Sequence, residues 1–328
     1  GHFMKNGKYR CRLFIYFLTS VMGLLFFTVS DSHGQLQTLK LAIPQKGLFD
    51  TTMPTIMADK MGFLKEAGIK PEIFWTSGGA ETVRVVTAGS ADIGLATGTE
   101  SVITAFMKGS PVRIISSEIT GSPDIFWYVR ADSPYKTIKD LDGKSIGYSR
   151  AGSSSHMILQ LATDHYKIKS KLVSVGSPPD AFTAVMTKQV DAGWSVPPFF
   201  LDKIEQGEIR IVFRGAELES IKDVTLRVNF ANANFYDKNT KLARSYIRAI
   251  KRAIDYMYDN PKEAIALFAE FNKFTLSVAE AGFKFFPKQA LVLSPVSRVD
   301  FSVDLALKLK MITKAPTEEE LKKLIVAE

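Results

Sequence analysis

Cysteine and histidine are scarce in this chain of 328 residues, which has one cysteine and four histidines. Cys11, the single cysteine, lies in an N-terminal segment that we expect to be removed, so disulfides are not predicted. No group of cysteines and histidines has the spacing of metal ligands, and we expect no zinc or other metal site.

The sequence motifs of phosphate binding and nucleophilic catalysis are also lacking. Neither GxxxxGK[ST] nor GxGxxG occurs. Ser155 beside His156 lacks the second glycine of the G-x-S-x-G motif, and adjacent side chains point in different directions. We therefore predict no catalytic residues, no cofactor and no enzymatic activity.

The formal net charge of +8 does not come from a basic surface stripe. Much of the excess lies in the N-terminal segment, and elsewhere basic and acidic residues alternate, as in "KTIKDLDGK". Nucleic-acid binding requires a basic patch with interleaved aromatics, which is missing. Nucleic acid is therefore not an expected partner.

One long uncharged run is present, from Leu13 to Val29, after a basic stretch. It is shorter than the ~20 residues that a membrane-spanning helix needs. Ser32 and Gly34 supply the small residues of a signal-peptidase site, so residues 1–34 are predicted to be a cloning remnant and a cleaved secretory signal peptide. An uncleaved membrane anchor is the alternative.

From Leu39 onward, short apolar runs alternate with amphipathic stretches such as 52–66, which predicts βαβ units and mostly parallel sheets. From Asn239 the pattern is almost entirely helical, with long stretches over 239–259, 261–271 and 301–310, and Thr317 with Glu320 predicts a capping box that begins a last helix. Two extended segments, "ISSEITGSPDIFWYVR" and "VTLRVNFANANF", interrupt the alternation. We predict an α/β fold of two doubly wound domains joined by these two strands, with 35–120 plus 231–328 as lobe 1 and 121–230 as lobe 2.

A weak internal similarity supports two related domains. "VVTAGSADIGLATGTES" and "VMTKQVDAGWSVPPF" share a helix end, a turn, an aspartate and a strand, with Asp92 and Asp191 in matching places. Two ordinary αβ junctions would give the same pattern. We favour two similar domains that present the carboxyl ends of their strands to a shared cleft.

Three loops at predicted strand ends have the composition of ligand-binding loops. Gly78 and Gly79 allow close approach of the backbone, and Gly98 with Thr99 opens a helix. The richest loop, "AGSSSH", places the three hydroxyls of Ser153, Ser154 and Ser155 at a helix start. Free N–H groups and hydroxyls there favour binding of a small anionic group. The alternative is that the serines only cap the helix in an exposed loop.

Four further side chains lie near the predicted cleft. Trp194 ends a strand and Phe49 follows the first strand, so each is a candidate wall for a ligand, or else a core residue. Glu118, and less so Glu100, could pair with a ligand amine, although a glutamate at a helix start also favours the helix dipole.

Four stretches in order give the sequence a family resemblance: "MADKMGFLKEAGIKPEI", "SGGAETVRVVTAGSADIGLATG", "YKTIKDLDGKSIGYSRAGSSSH" and "AVMTKQVDAGWSVPPF". Together they resemble the periplasmic solute-binding proteins of ABC importers in the nitrate, sulfonate and taurine class. A related group binds thiamine pyrimidine precursors, and its enzymes depend on a cysteine-rich motif that is missing here.

The resemblance implies a two-lobed periplasmic binding protein fold of type II and a periplasmic, monomeric protein. It also implies capture of a small organic anion by hinge closure and delivery to an ABC permease. Ligand binding by Gly78, Gly79, Gly98, Thr99, Ser153–Ser155 and Trp194 is expected on the same basis. Binding of an aromatic carboxylate or pyrimidine, and a periplasmic sensor lobe, are the alternatives.

Overall fold

A computed structural model describes residues 35–328, so the predicted signal peptide lies outside the described residues. This part of the chain alternates strands and helices up to residue 232 and is mainly helical afterwards. The strands are β1 Gln37–Pro44, β2 Ile69–Thr76, β3 Ile93–Gly98, β4 Val112–Thr120, β5 Phe126–Arg130, β6 Ser145–Tyr148, β7 Lys171–Ser174, β8 Ala192–Ser195, β9 Ile209–Arg214 and β10 Thr225–Asn232.

The α-helices are α1 Phe49–Lys60, α2 Phe63–Glu66, α3 Gly79–Thr87, α4 Thr99–Met107, α5 Ser154–Tyr166, α6 Pro178–Met186, α7 Leu201–Glu205, α8 Ala233–Lys238, α9 Thr240–Asp259, α10 Pro261–Asn272, α11 Leu276–Phe283, α12 Val299–Lys308 and α13 Glu318–Leu324. Within residues 35–328, none of these helices is both long enough and apolar enough to cross a membrane.

The strands form two five-stranded mixed sheets with the same connectivity. The first has the order β2-β1-β3-β10-β4 and the second β7-β6-β8-β5-β9. In each sheet the fourth strand, β10 or β5, runs antiparallel to both of its neighbours, and the other four strands are parallel to one another. The predicted α/β class is confirmed.

Asp92 and Asp191 occupy equivalent places in the two sheets. Asp92 accepts the N–H of Lys40 at 2.8 Å, and its own N–H donates to the Lys40 carbonyl at 2.9 Å. Asp191 accepts the N–H of Ser145 at 2.9 Å and donates its N–H to the Ser145 carbonyl at 3.1 Å. Each aspartate thus binds the backbone of the neighbouring parallel strand through two hydrogen bonds, which gives the internal similarity a physical cause.

Two adjacent chain segments connect the sheets. The Gly121 N–H donates to the Val224 carbonyl at 2.9 Å, and the Gly215 N–H donates to the Ile125 carbonyl at 2.8 Å. Gly121 has φ +72°, a left-handed conformation that favours glycine. The division into lobes at 121–230 stays a prediction, and β10 joins the first sheet from Thr225 onward.

Helix boundaries follow local capping chemistry. Thr317 accepts the Glu320 N–H, and Glu320 accepts the Thr317 N–H, which confirms the predicted capping box of α13. The helix expected over 52–66 is split into α1 and α2 because Gly62 adopts φ +77°. Helix α11 was not predicted, and it packs against α7 from the other half of the chain.

Replacing Gly94 in β3 by alanine should destabilise the fold. An added Cβ would lie 2.5 Å from the Phe230 ring and 2.8 Å from Thr82. Overpacking of this kind costs about 1–3 kcal/mol. We expect Gly94→Ala to lower the free energy of unfolding in denaturant titrations by that amount. Gly78→Ala, whose Cβ would meet nothing within 4 Å, is the matched control; equal stability of both variants would contradict the packing described.

Candidate functional site

Arg227 on β10 lies at the centre of a buried group of three carboxylates, which we name the Arg227 cluster. Its Nη2 donates to Asp50 Oδ2 at 2.9 Å and to Asp124 Oδ2 at 2.8 Å, while Nε donates to Glu118 Oε2 at 3.1 Å. All three carboxylates are at most 6% exposed. The cluster therefore ties the start of α1, strand β4, the first connecting segment and β10 to one guanidinium.

Three carboxylates share one positive charge, so the cluster has an excess of negative charge. Burial raises the pKa of Glu118 well above its usual range, and the nearby charge of Asp50 adds to this rise. Burial also raises the pKa of Asp50. Burial alone would lower the pKa of Arg227, but Asp124, Glu118 and Asp50 together raise it well above the ordinary value.

A proton on Glu118 reconciles these charges. Its Oε1 is buried and has no hydrogen-bond partner within the described residues. A Glu118 protonated at Oε1 would face the nearby charge of Asp50 as a donor and still accept from Arg227 through Oε2. The arrangement leaves Arg227 fully engaged by its own carboxylates.

The predicted glycine loops of the first sheet lie beside this cluster. Gly98 is the register partner of Arg227 on the neighbouring strand, and the Thr99 hydroxyl donates to the Thr225 carbonyl at 2.7 Å. A Cβ on Gly98 would lie 2.3 Å from the Glu100 carboxylate, which is buried and whose pKa is raised by that burial. The structure thus brings Gly98, Thr99 and Glu118 to one strand end.

Gly78 and Gly79 follow strand β2, and Gly79 is the first residue of α3. Gly79 packs against Thr97, with an ideal Cβ 3.5 Å from its methyl group. The preceding Ser77 is fixed by Glu81, which accepts both the N–H and the hydroxyl of Ser77 at 2.7 Å. A Cβ added at Gly78 would meet no atom within 4 Å, so there is open space beside the Gly78 backbone.

Three serine hydroxyls form a closed group at the start of α5, the serine triangle. Ser149 Oγ lies 2.7 Å from Ser153 Oγ and 2.9 Å from Ser155 Oγ, and the latter two are 3.0 Å apart. Ser153 also caps the helix by accepting the His156 N–H at 3.2 Å. The triangle contains two predicted residues and one that was missed, whereas Ser154 is not part of it.

His156 and Tyr148 frame the serine triangle. Their rings stack with centroids 4.2 Å apart, and the Gly152 N–H donates to His156 Nδ1 at 3.2 Å. Partial burial lowers the pKa of His156, so the imidazole stays neutral near pH 7. The helix start therefore offers hydroxyl and N–H donors without a fixed charge on this histidine.

The two aromatic candidates have structural partners. Phe49 is fully buried and its ring lies 5.2–5.3 Å from those of Phe268, Phe283 and Phe286. Trp194 is 5% exposed, and its Nε1–H donates to the Gly176 carbonyl at 3.1 Å. In this structure both rings make core contacts, so their predicted contact with a ligand stays a prediction.

Sequence reasoning missed Arg227, Asp50, Asp124 and Ser149. Arg227 had a usable signal, since it is a charged residue within the apolar strand "VTLRVNF". A charge inside a buried strand requires a partner of opposite charge. Asp50 and Asp124 gave no comparable signal because they lie in loops or at a helix start, where aspartate is common.

With this geometry described, the chain can be compared with known proteins. Residues 51–264 match the family model described as "NMT1/THI5 like". The chain belongs to the NMT1/THI5-like family. The family resemblance to solute-binding proteins and to thiamine pyrimidine proteins is thereby confirmed.

Solved structures show that this chain has the fold of periplasmic binding proteins. The periplasmic aliphatic sulphonate binding protein SsuA from Escherichia coli aligns with a TM-score of 0.72 at 20% identity, over 86% of this chain and 91% of that one. The periplasmic nitrate-binding protein NrtA from Synechocystis aligns with a TM-score of 0.67 at 16% identity, over 89% and 86%. The predicted fold is confirmed.

Curated relatives contradict the prediction of a non-enzyme. A 4-amino-5-hydroxymethyl-2-methylpyrimidine phosphate synthase from Candida albicans is 24% identical over 239 residues, 67% of each chain. A putative aliphatic sulfonates-binding protein from Escherichia coli is also 24% identical, over 66% of this chain and 67% of its own length. Relatives named as enzymes thus contradict the predicted absence of enzymatic activity, and that prediction was wrong.

The Arg227 cluster predicts a particular pH dependence of stability. A carboxyl whose pKa is raised by folding contributes stability below its ordinary pKa and loses that contribution as the pH rises through the raised value. Glu118→Gln keeps an oxygen for Arg227 and a donor for Asp50 but cannot ionise. We expect the variant to melt at a higher temperature than the parent chain at neutral pH, with the difference shrinking towards pH 4.

The measurement is the melting temperature of each protein across about pH 4–8. Glu72→Gln, at an exposed glutamate on β2, is the matched control and should follow the parent curve. A Glu118→Gln curve that stays parallel to the parent curve would show that Glu118 ionises normally in the folded protein.

Proposed function

We propose that this chain is the solute-binding component of an ABC-type importer. In this proposal it captures a small organic anion, such as a sulfonate, taurine or nitrate, in a cleft between two lobes. The lobes close about the two connecting segments, and an inner-membrane permease receives the ligand from a monomeric, periplasmic protein. Family membership and the shared fold support solute binding in general.

The serine triangle is the observation that carries the anion proposal. It places hydroxyls and the free N–H groups of a thirteen-residue helix at the end of β6. A helix N-terminus carries about half a positive charge, which suits an anion that must be released again. Ser153 and Ser155 bind each other in the unliganded chain and can turn their hydroxyl hydrogens towards a ligand.

The Arg227 cluster bears on the same proposal. Arg227 lies beside Gly98 on the neighbouring strand, but three carboxylates already engage it. It is therefore not available to hold an anion. In this proposal the neutral donors at the start of α5 hold it, which is consistent with weak and reversible capture.

A pyrimidine or aromatic carboxylate is the second candidate ligand. The named product of the Candida albicans relative, a pyrimidine phosphate, supports it. In this version Trp194 and Phe49 would have to move from their present core contacts to stack on a ring. Gly78, Gly79, Gly98 and Thr99 would serve either ligand through backbone groups.

Thermal-shift and calorimetric titrations with taurine, alkanesulfonates, nitrate, aromatic carboxylates and an aminopyrimidine test the proposal. A ligand that binds only the folded chain raises the melting temperature. We expect a sulfonate to do so, and Ser153→Ala combined with Ser155→Ala to weaken its binding by about 1–3 kcal/mol, because hydrogen bonds to a charged group are lost.

Ser177→Ala is the matched control, because Ser177 caps α6 as Ser153 caps α5 but has no proposed ligand. Its stability should fall while its affinity for the sulfonate is unchanged. A response to ring compounds alone would favour the pyrimidine candidate. Equal sulfonate affinity in the double variant and the parent chain would remove the serines from the site.

A further inference from the structure

A groove on the first sheet's side of the molecule has not been used so far. It runs between α9 and the segment 288–294, with the chain end near Val326 closing one side, and it encloses about 330 Å³. This volume falls at the lower end of the roughly 300–1,000 Å³ that is usual for small-molecule sites. We name it the side groove, and the residues of the serine triangle and the glycine loops do not line it.

The floor of the side groove is apolar. Ile115 of β4, Ala243 and Ile254 of α9, and Leu291 with Leu293 are buried there. Val292 stands at the edge with 46% of its surface exposed, which is high for a large aliphatic side chain. An exposed aliphatic edge above a buried aliphatic floor favours contact with a hydrocarbon chain.

The rim of the side groove is basic. Four cationic side chains line it against two carboxylates: Arg244, Arg248, Lys251 and Lys288, with Asp255 and Glu328. Arg244 pairs with Glu328 at 2.7 Å, and Asp255 is shared by Lys251 and Lys288 at 2.8 Å each. The rim therefore carries an excess of two positive charges.

Arg248 accounts for one of these unmatched charges. Its Nη2 donates to Ser245 Oγ at 2.8 Å, and within residues 35–328 no carboxylate lies in ion-pair distance of it. Arg244, Arg248 and Lys251 follow one another at helical spacing, so they stand side by side along the groove. The guanidinium of Arg248 is thus placed to receive an anionic group above the apolar floor.

The inner end of the side groove fixes the orientation of a ligand. A small cavity of about 20 Å³ shares Ile254, Leu291 and Leu293 with the groove and reaches Asp50 and Glu118 of the Arg227 cluster. Excess negative charge at that end repels an anion, while the rim attracts one. We propose that the side groove binds an amphipathic anion, an alkyl carboxylate or sulfonate, with its head at Arg248 and its chain on the floor.

The test uses decanoate as the probe in isothermal titration calorimetry with the full chain. We expect decanoate to bind, whereas acetate, which lacks the chain, and decylamine, which has the opposite charge, do not. Arg248→Met should weaken decanoate binding about tenfold, because a charge-assisted hydrogen bond is lost while the aliphatic stem remains. Val292→Asp should weaken it further by placing a carboxylate at the edge.

Arg252→Met is the matched control. Arg252 lies on the same helix but pairs with Glu66 and stacks over Phe63, away from the groove. It should leave decanoate binding unchanged, and so should Ser153→Ala with Ser155→Ala, which separates this site from the one proposed above. Absence of decanoate binding, equal binding of decylamine, or full binding by both groove variants would overturn the proposal.

Discussion

Arg227 holds together parts of the chain that are far apart in sequence. Asp50 begins the first helix, Glu118 lies in β4, and Asp124 lies in the segment that leads to the second sheet. All three side chains are buried, and each would be a costly charge without the guanidinium. The path of the chain between the two sheets therefore depends on one arginine being charged and correctly placed.

The Arg227 cluster also makes the two candidate loop regions differ in charge. Around Gly98 and Thr99, the carboxylates of the Arg227 cluster and Glu100 leave excess negative charge. At the start of α5, hydroxyls and N–H groups offer partial positive charge. The two loop regions therefore differ in the charge that they would present to a ligand.

The sequence predicted the sheet strands well because their apolar runs are bounded by glycine, proline or aspartate. Asp92 and Asp191 were matched from sequence alone, and both bind the backbone of a neighbouring strand. The capping box at Thr317 was also predictable, because it is formed by two residues three positions apart. Local interactions of this kind can be predicted from the sequence.

Long-range partners were not predictable in the same way. Arg227 lies 177 positions from Asp50 and 103 from Asp124, and no local pattern relates them. Helix α11 was missed because it is only eight residues long, and it packs mainly against α10 and less extensively against α7. The sequence left Phe49 open as a ligand wall or a core residue, because its three aromatic partners lie far from it in the chain.

A double-mutant cycle between Arg227 and Asp124 tests most directly whether this cluster joins the connecting segment to the first sheet. The free energies of unfolding of Arg227→Met, Asp124→Asn and the combined variant are compared with that of the parent chain. The structure predicts that the two losses are not additive, with a coupling of about 1–3 kcal/mol, because each side chain is costly to bury without the other. Losses that add to within about 0.5 kcal/mol would contradict the account.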